Sequence, residues 1–570
     1  MKKWIAMLLA LVLLLGLVAC GGTAETEATT EATETTETGE PVMEYQGELP
    51  LVQPGEDNVI TIGLRNAGNV ESYDDNAYTK WLEEQTGVDL QFTQFTGSTS
   101  DCATQISLMM ASGEKLPDIL FKFTGINKAQ GEEYGRDGYF ADLSEYMDVY
   151  NYYQRDAFSK IFDGDMSVYN DLMNRATAAN DGHLYSFPGF EEVPLDTPRT
   201  HAWINQDWLD ALGLQAPTTV DELYDVLVAF RDGDPNGNGV KDEIPMIGVA
   251  DSNFQDIVMF VLNAFDLLQD NHFIIKDGVI SAPYVTDSYR QGLIFLKKLV
   301  DEGLLSSLTW TQSSSESKSL INPEDGVMTC GIVAGHADIS WEADNPSIFA
   351  YVPLAPLAAA TEDGGWAPMA YYTMNYTTYV TEDCENKLLA YKLLDFMCSE
   401  ESYLRQRWGE FGVDWDYSDG SVMGNVGEPA KIKLYNSTAF SSQNSSCWHI
   451  VSSVASEWYY SYEADLEDET NWDSQRAAKL LKNYENYTAA KQPEEVFHYA
   501  EYSLDEQDTR NEITPDLFAY FKTSRAEFCT GVKDPENDAD WQTYVDGCKS
   551  LRYDEWIGCA QSAYDEGRAK

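Results

Sequence analysis

Apolar residues recur along the chain at two spacings, one typical of buried strands and one of amphipathic helices. Residues 59–64 form a mostly apolar run, which predicts a buried strand. Between residues 220 and 232, apolar side chains repeat at i, i+3, i+4 and i+7, which predicts a helix with one buried face. These side chains are Leu223, Val226, Leu227 and Phe230. Thr219 and Glu222 have the spacing of a capping box and place the start of this helix.

Predicted strands and helices alternate from residue 58 onward. Such alternation is typical of α/β units with largely parallel sheets. From about residue 385 onward helical patterns dominate. The strands are predicted at 59–64, 88–95 and 116–121, and the helices at 76–84, 101–111, 287–302, 386–398 and 538–551.

The N-terminus has the pattern of an export signal. Lys2 and Lys3 precede an apolar run over residues 5–18, which is long enough for a signal peptide but too short to span a membrane. The run ends in Leu-Val-Ala-Cys at 17–20, which resembles a bacterial lipobox. We therefore expect residues 1–19 to be removed and Cys20 to carry the acyl chains of a lipoprotein, palmitate among them.

Residues 20–57 are predicted to be a tether. Thr, Glu and Ala make up nearly all of residues 23–40, and this composition has no apolar period with which to form a core. We expect a body beginning at residue 58 that is held on the extracellular face of the cell membrane by its lipid anchor alone.

The charge of the chain excludes several classes of partner. It has 95 Asp and Glu against 37 Lys and Arg, a formal net charge of −58. Such a surface repels nucleic acid phosphates and anionic lipid headgroups. The remaining partners are small, neutral or cationic, and we expect a monomer that binds no nucleic acid.

Eight cysteines remain in addition to Cys20. An even number in an exported protein permits disulfides, but the sequence does not give their connectivity. Cys384 and Cys398 bracket a predicted helix that would separate them by about 21 Å, so we expect no bond between them.

Catalytic motifs are missing from the sequence. It contains no GxSxG, HExxH, P-loop or GxGxxG pattern, and its six histidines lack the spacing of metal ligands. We expect a protein that is not an enzyme. A pair of glycosidase carboxylates remains open, because such pairs meet in space and not in sequence.

One short loop has the pattern of a calcium site. Oxygen-bearing side chains stand at alternate positions from residue 234 and are followed by glycine, as in the first half of an EF-hand loop. Pro245 stands at position 12 in place of the usual glutamate, so the loop is not part of a helix–loop–helix EF-hand. An ordinary turn is the alternative, because Asp-Pro-Asn-Gly favours turns by itself. The predicted structural calcium ligands are Asp234, Asn236, Asn238, the Val240 carbonyl, Asp242 and Glu243.

Several stretches together resemble the extracellular solute-binding proteins (family 1) of sugar ABC importers, and most of all the large lipoproteins of Gram-positive bacteria. The 202–214 stretch (Ala-Trp-Ile-Asn-Gln-Asp-Trp-Leu-Asp-Ala-Leu-Gly-Leu) and the Asp-Pro-Asn-Gly loop carry the resemblance. Some calcium-binding members of this family use the same loop. Further similar stretches lie at 116–120, 137–143, 410–415, 540–544 and 561–565.

The resemblance implies a type II periplasmic-binding-protein-like α/β fold with two discontinuous lobes joined by hinge strands. Lobe 1 would comprise about 58–185 and 345–395, with the strand near 350–353 returning to it. Lobe 2 would comprise about 200–340 and 400–570.

The implied function is to capture an oligosaccharide between the lobes and deliver it to the permease of an ABC transporter. A peptide or other organic solute is the alternative ligand, and a surface carbohydrate-active enzyme is a further alternative. Because sugars stack on aromatic rings and hydrogen-bond to polar side chains, we expect ligand contacts near the lobe crossings. Trp203 and Trp208 are expected in the core. The expected ligand-binding residues are Trp341, Asp338, Glu342, Trp366, Tyr371 and Phe123.

Overall fold

The computed structural model describes residues 45–567 except for short gaps, and residues 43–570 form one compact unit. The lipobox cysteine, Cys20, and the Thr/Glu-rich segment after it lie outside the described residues. The gaps are 54, 171–172, 174–181, 193–194, 196, 199, 253, 270–271, 337–339, 343–344, 370–372, 438, 441, 452–453, 457–460, 498–499 and 501.

The strands build one six-stranded sheet, one four-stranded sheet and two hairpins. The six-stranded sheet has the order β14-β4-β11-β3-β1-β2, and the four-stranded sheet has the order β10-β5-β9-β6. The strands are β1 Val59–Arg65, β2 Asp89–Phe95, β3 Ile119–Leu120, β4 Phe187–Glu192, β5 Ala202–Asn205, β6 Ile244–Ile247, β7 Ile274–Lys276, β8 Val279–Ser281, β9 Cys330–Ala334, β10 Tyr351–Pro353, β11 Thr373–Val380, β12 Trp415–Tyr417, β13 Ile432–Leu434 and β14 Val454–Ser456.

Helices connect the strands and make up about half of the chain after residue 385. They are α1 Ala77–Thr86, α2 Thr99–Ser112, α3 Lys128–Arg136, α4 Ser144–Tyr150, α5 Tyr152–Ile161, α6 Gln206–Leu212, α7 Val220–Asp232, α8 Ile257–Leu262, α9 Asp287–Asp301, α10 Ser314–Ile321, α11 Ser347–Ala350, α12 Lys387–Phe396, α13 Glu400–Trp408, α14 Trp472–Ala489, α15 Leu504–Cys529, α16 Asp538–Ser550 and α17 Tyr553–Asp565.

Local sequence signals explain where several helices begin and end. The Thr219 side chain accepts a hydrogen bond from the Glu222 N–H and caps α7, and the four predicted apolar residues of this helix are buried. The Glu222 carboxylate accepts from the N–H and hydroxyl of Thr218, one residue earlier than an ideal capping box requires. Gly303, with φ of +69°, follows α9 in the left-handed conformation that favours glycine.

Each large sheet is buried between hydrophobic layers. In β5, Ala202 and Ile204 join the core formed with α6 to α9 and α15 to α17, whereas Trp203 points to the opposite face and packs on Trp341. This alternation follows from the two-residue period of a strand. Trp203 and Trp208 are both core residues, as the sequence predicts.

The six-stranded sheet has its own core around Trp448, with α1, α4, α5 and α12. The elements thus form two α/β regions, which we call the first region (around the six-stranded sheet) and the second region (around the four-stranded sheet).

Three connections between the two sheets leave the same end of neighbouring strands. β4 and β14 are parallel, and β11 lies antiparallel to β4, so the end of β4, the start of β11 and the end of β14 face one way. The connections following β4 and preceding β11 are joined by a β-bridge between Pro198 and Met369. Adjacent crossing strands of this kind are suited to act as a hinge.

Two expected boundaries differ from the structure. Residues 45–52 pack on the body: Tyr45 and Val52 are buried, and the Leu51 N–H donates to the Thr86 carbonyl at 2.8 Å. Residues 45–52 therefore belong to the body and not to the tether predicted over residues 20–57. Strand β10 pairs with β5 in the second region, so the expectation that residues 350–353 return to the first lobe is wrong.

Part of the chain after residue 400 also lies on the first region. β14 pairs with β4, and the hydroxyl of Ser402 in α13 contacts that of Tyr78 at 2.8 Å. These long-range pairings carry no local sequence signal. The remaining lobe limits stay predictions.

The eight cysteines within the described residues are all free and buried. Burial raises the pKa of the Cys330, Cys384 and Cys529 thiols to about 12. Cys384 and Cys398 flank α12, and both thiols are free. These thiols act as small apolar core residues with low reactivity.

Candidate functional site

The carboxyl ends of β6 and β9 open onto one edge of the four-stranded sheet. The two strands are parallel and are followed by residues 248–256 and by Gly335 and His336. In open α/β sheets, ligands bind in the crevice outside the carboxyl ends of the strands. This edge of the four-stranded sheet is therefore a candidate ligand site.

A cavity of about 260 Å³ lies at this edge, between the segment after β6 and helices α9 and α15. Its walls combine aromatic rings with charged side chains, the composition expected of a site for a polar organic ligand. The lining residues are Asp251, Ser252, Asp256, Met259, His272, Tyr284, Tyr289, Phe518, Phe521, Lys522 and Arg525.

Stacked rings form the aromatic wall of the cavity. Tyr284 and Phe521 lie nearly parallel, with ring centroids 3.9 Å apart and an interplanar angle of 9°. The rings of Phe518 and His272 are 4.3 Å apart, and the His272 ring also contacts the Tyr284 hydroxyl. Such flat apolar surfaces are suited to pack against the C–H face of a sugar ring.

Charged groups converge on the other side of the cavity. The Arg525 guanidinium forms an ion pair with Asp251 and lies 3.7 Å from the Asp256 carboxylate. The Lys522 ammonium lies 3.4 Å from the Asp251 carboxylate. The Arg525 side chain is only 9% exposed, and burial lowers its pKa. A buried charged cluster of this kind is costly without partners and presents both donors and acceptors to a ligand.

Two titratable groups of the cavity have strongly shifted pKa values. Burial raises the pKa of the Asp256 carboxyl to about 7, although its hydrogen bonds from the Val258 and Met259 N–H groups favour ionisation. Burial lowers the pKa of His272 to about 4, and the positive charge of nearby Arg510 also lowers it. Shifts of this size cluster at functional sites.

The segment after β6 is held in an uncommon backbone conformation. Asp251 and Phe254 have φ of +60° and +61°, values that non-glycine residues rarely adopt. The conformation is fixed by a hydrogen bond from the Asp251 N–H to Asp256 at 3.0 Å and by one from the Val249 N–H to the Gln255 carbonyl at 2.9 Å. Such backbone strain recurs at ligand sites.

A cluster of three rings joins this segment to the start of β5. The ring centroids of His201, Phe254 and His336 lie 5.0 Å from one another. Thr200, at the end of the first crossing connection, forms a β-bridge with Phe254. The cavity segment is therefore in direct contact with a crossing connection.

The ligand-binding residues predicted from the sequence are not brought together at this cavity. Trp341 is 2% exposed and packs edge-on against Trp203 at 5.0 Å. Phe123 is also 2% exposed and packs against Phe95. Trp366 is half-buried beneath the Lys491 ammonium, 3.6 Å from its ring centroid, and Glu342 is exposed.

Asp338 and Tyr371 lie outside the described residues. Ligand contacts by the six predicted residues remain predictions.

Sequence analysis missed the residues that line the cavity. Asp251 and Arg525 are 274 positions apart, and no local pattern links them. One signal was present: Phe518, Phe521, Lys522 and Arg525 stand at i, i+3, i+4 and i+7, so two aromatic and two cationic side chains share one face of α15. A purely structural helix face would carry apolar residues at these positions.

The 234–243 loop gathers its oxygen-bearing side chains around Asp242. The side-chain amides of Asn236 and Asn238 each donate to the Asp242 carboxylate at 3.2 Å. The Gly239 N–H donates to both oxygens of Asp234 at 3.2 Å. Asn236, Asn238 and Asp242 therefore interact directly, and Asp234 contacts the backbone of the same turn.

Glu243 supplies the observation that tests whether this loop fits a cation. Its Oε1 is buried and has no hydrogen-bond partner among the described residues. Buried carboxylate oxygens are normally paired, and a hard cation would satisfy this one. In the described part of the chain, no three His, Cys, Asp or Glu side chains lie close enough together to hold a metal ion by themselves. The donor set fits calcium only if amide and backbone oxygens contribute.

Comparison with protein families decides the class of the protein. Residues 66–403 match the family described as bacterial extracellular solute-binding protein. The chain belongs to this family. Its α/β fold is the two-lobed fold of the solute-binding proteins, as the sequence resemblance implies.

Two curated relatives of this solute-binding protein show how far the likeness extends. It is 35% identical over 231 residues to the fructooligosaccharide ABC transporter substrate-binding protein FusA of Streptococcus pneumoniae, a match over 39% of this chain and 40% of FusA. It is 23% identical to the polygalacturonan/rhamnogalacturonan-binding protein YtcQ of Bacillus subtilis, over 73% of this chain and 74% of YtcQ. The match to FusA thus spans about 40% of the length of that relative.

Solved structures share the fold over nearly the whole chain. A human-milk-oligosaccharide (HMO) binding solute-binding protein of Bifidobacterium longum infantis superposes with a TM-score of 0.71 at 22% identity, covering 90% of this chain and 100% of that one. The S. pneumoniae FusA complex with kestose superposes with a TM-score of 0.69 at 23% identity, covering 89% of this chain and 99% of FusA in that structure. At these identities the likeness establishes the fold. Among the described residues, no helix is long and apolar enough to cross a membrane.

Proposed function

We propose that this solute-binding protein captures an oligosaccharide outside the cell and delivers it to the permease of an ABC importer. The observation that carries the proposal is the cavity at the carboxyl edge of the four-stranded sheet. Its stacked Tyr284 and Phe521 rings offer a platform for a sugar face, and the Asp251–Arg525 pair offers partners for hydroxyl groups.

The printed functions of the relatives support a saccharide ligand. FusA is named for fructooligosaccharides, YtcQ for polygalacturonan and rhamnogalacturonan, and the Bifidobacterium protein for HMO. These ligands differ in their sugars but share ring faces and hydroxyl groups. The acidic surface of this chain, with a net charge of −58, favours a neutral saccharide over an anionic one.

Closure of the two lobes on the ligand is part of the proposal, and it is supported by a contact between the cavity segment and a crossing connection, since the residues that line the cavity all belong to the second region. The segment that lines it contacts the connection between β4 and β5 through the ring cluster of His201, Phe254 and His336. A ligand that contacts both lobes stabilises the closed arrangement by its differential affinity. The protein would then present a closed, loaded form to the permease and act as a monomer.

Anchoring at Cys20 places this receptor on the extracellular face of the cell membrane. The lipobox-like Leu-Val-Ala-Cys stretch supports lipidation, and the acidic Thr/Glu-rich segment would keep the body away from anionic headgroups. Mass spectrometry of the N-terminal peptide tests this: a diacylglyceryl-modified Cys20 supports the anchor, and an unmodified N-terminus elsewhere contradicts it.

A structural calcium ion in the 234–243 loop completes the proposal. Asp234, Asn236, Asn238, the Val240 carbonyl, Asp242 and Glu243 would hold it. The buried, unpaired Glu243 oxygen supports this assignment, and a structure of an EF-hand mutant of FusA indicates such a loop in a protein of the same fold. Calcium would stiffen the turn between α7 and β6.

Binding measurements with the mature protein test the main proposal. We expect at least one neutral oligosaccharide to raise the melting temperature and to bind in calorimetry, with no release of reducing ends. Stabilisation by peptides alone would instead favour the alternative peptide-binding function. Hydrolysis that depends on a pair of carboxylates would show an enzyme and overturn the receptor assignment.

A further inference from the structure

The hairpin β12–β13 carries an unusual concentration of exposed apolar side chains. Of fifteen large apolar residues that are exposed in the described part of the chain, five lie between residues 411 and 423. Scattered single apolar residues are normal on a surface, whereas a local concentration marks an interaction site. The five are Phe411, Val413, Tyr417, Val422 and Met423.

Tyr417 breaks the pattern of its own strand. Trp415 and Tyr417 point to the same face of β12, because side chains two residues apart share a face. Trp415 is 0% exposed, and Ile432, the partner of Tyr417 across the hairpin, is also buried. Tyr417 is nevertheless 49% exposed. The Tyr417 ring therefore lies on the core-facing side of the hairpin but is exposed to solvent.

The exposed ring is held rigidly. Trp415 contacts Phe411 and Tyr417 edge to face, with ring centroids 5.0 and 5.4 Å away, and the Phe411 and Tyr417 rings are tilted against each other at 5.8 Å. The Trp415 Nε1–H donates to the Gly409 carbonyl at 3.0 Å and fixes the central ring. A preorganised ring loses little conformational entropy when a ligand packs on it.

Tyr417 borders an open depression of about 400 Å³ with polar walls. Glu400, Asp419 and Lys431 line it together with Ser418, and Lys160 lies 3.3 Å from Glu400. An aromatic platform flanked by hydroxyl, carboxylate and ammonium groups matches a sugar ring, which needs one apolar face and several hydrogen bonds at its edge.

We propose that this depression is a second saccharide-binding site, separate from the cavity beside Arg525, and that it takes neutral chains longer than the cavity can enclose. The cavity of about 260 Å³ is at the small end of ligand pockets, whereas the depression is open and would let a polymer pass along it. The choice of a saccharide rests on the proposed function, and the net charge of −58 disfavours acidic polymers.

Affinity electrophoresis tests the second site. The mature protein is run in native gels containing inulin, dextran or pullulan, which are neutral, or polygalacturonate, which is anionic. We expect retardation by at least one neutral polymer and none by polygalacturonate. Replacing Tyr417→Ala should weaken the retardation constant roughly tenfold, since it removes the stacking platform.

A matched control lies on the opposite face of the same hairpin. Tyr435 is 54% exposed and lies beside Lys433, outside the depression, so Tyr435→Ala should leave the retardation unchanged. Equal melting temperatures of the two variants would show that the hairpin is intact. Equal effects of the two variants, or no retardation by any neutral polymer, would overturn the second site.

Short oligosaccharides separate this proposal from the main one. Stabilisation by a short oligosaccharide reports on the cavity, and it should be unaffected by Tyr417→Ala. If no short oligosaccharide stabilises the wild type but polymer retardation depends on Tyr417, the cavity is refuted as the ligand site and the second site is supported. The reverse result would refute only the second site.

Discussion

Each of the two regions buries an aspartate at the start of a helix, and the two aspartates differ in what faces them. In the first region, Asp395 from α12 accepts the N–H groups of Tyr152, Tyr153 and Gln154 at about 3 Å and so caps α5. In the second region, Asp256 caps its own helix α8 and also faces Arg525. Burial raises the pKa of both carboxyls to about 7.

The comparison shows that burial and a shifted pKa do not by themselves mark a binding site. Asp395 is surrounded by the aromatic side chains of Tyr45, Tyr153 and Tyr391 and lines no cavity among those described. Asp256 lines a cavity together with a buried cation. We infer that Asp395 holds the first region together, whereas Asp256 belongs to the ligand site.

The largest effect is expected from removing the brace in the first region. Asp395→Ala leaves three N–H groups of α5 without their acceptor and should lower the free energy of unfolding by about 2–4 kcal/mol. Urea unfolding measures this loss. Ligand affinity of the folded variant should not change, and a large loss of affinity at wild-type stability would contradict the assignment.

A smaller free-energy effect, but one on binding, is expected in the second region. Arg525→Met removes the cation that faces Asp251 and Asp256 and should weaken oligosaccharide binding by about 2 kcal/mol, or roughly 30-fold. Calorimetry on the folded variant measures it. Arg290→Met is the matched control, because Arg290 pairs with Asp538 on the surface of α9, outside the cavity. Equal losses in both variants would argue against the cavity.

The raised pKa of the two aspartates should appear in the pH dependence of stability. A carboxyl whose pKa rises from 3.8 to about 7 binds its proton more tightly in the folded state, so its contribution is lost as pH rises from about 4 to 7. His272 has the opposite effect. Its pKa is lowered to about 4 in the folded state, so its contribution to stability rises between about pH 4 and 6.5 and offsets the loss from Asp256.

We therefore expect the same change in the two aspartate variants between pH 4 and 6.5. Relative to the wild type, Asp395→Asn should make stability rise more with pH, by up to about 1.4 kcal/mol per pH unit. Asp256→Asn should do the same, and the double change Asp256→Asn with His272→Phe should restore the wild-type slope, because the two groups act in opposite directions. Denaturant titrations at fixed pH values measure the slopes, and an unchanged slope in Asp395→Asn would refute its raised pKa.

The smallest effect concerns the calcium loop of the second region. A chelator should lower the unfolding free energy by about 1–2 kcal/mol if the loop is loaded well above its dissociation constant. Asp234→Asn should abolish this response. Asp277→Asn is its control, since Asp277 also has positive φ, 53° against 49°, in the exposed turn between β7 and β8. A chelator response that persists in Asp234→Asn would place the ion elsewhere.

Local patterns in the sequence predict the secondary structure well and the site poorly. The helix after Thr219 follows from a 3.6-residue period and a cap within a few residues, and both are present. The pairing of β10 with β5 and of β14 with β4 depends on contacts across more than a hundred residues, which no local period encodes. The cavity depends on Asp251 and Arg525 in the same way, whereas the spacing on α15 was visible in advance.

The buried thiols have a practical consequence for observing lobe motion. Because every described cysteine is free and buried, a maleimide dye would react first with any cysteine added to the surface. One such residue on each region, in the compact unit that begins at residue 43, would permit fluorescence resonance energy transfer without deleting a native cysteine. The buried thiols thus allow single-molecule fluorescence to measure whether the distance between the two regions changes when ligand is added.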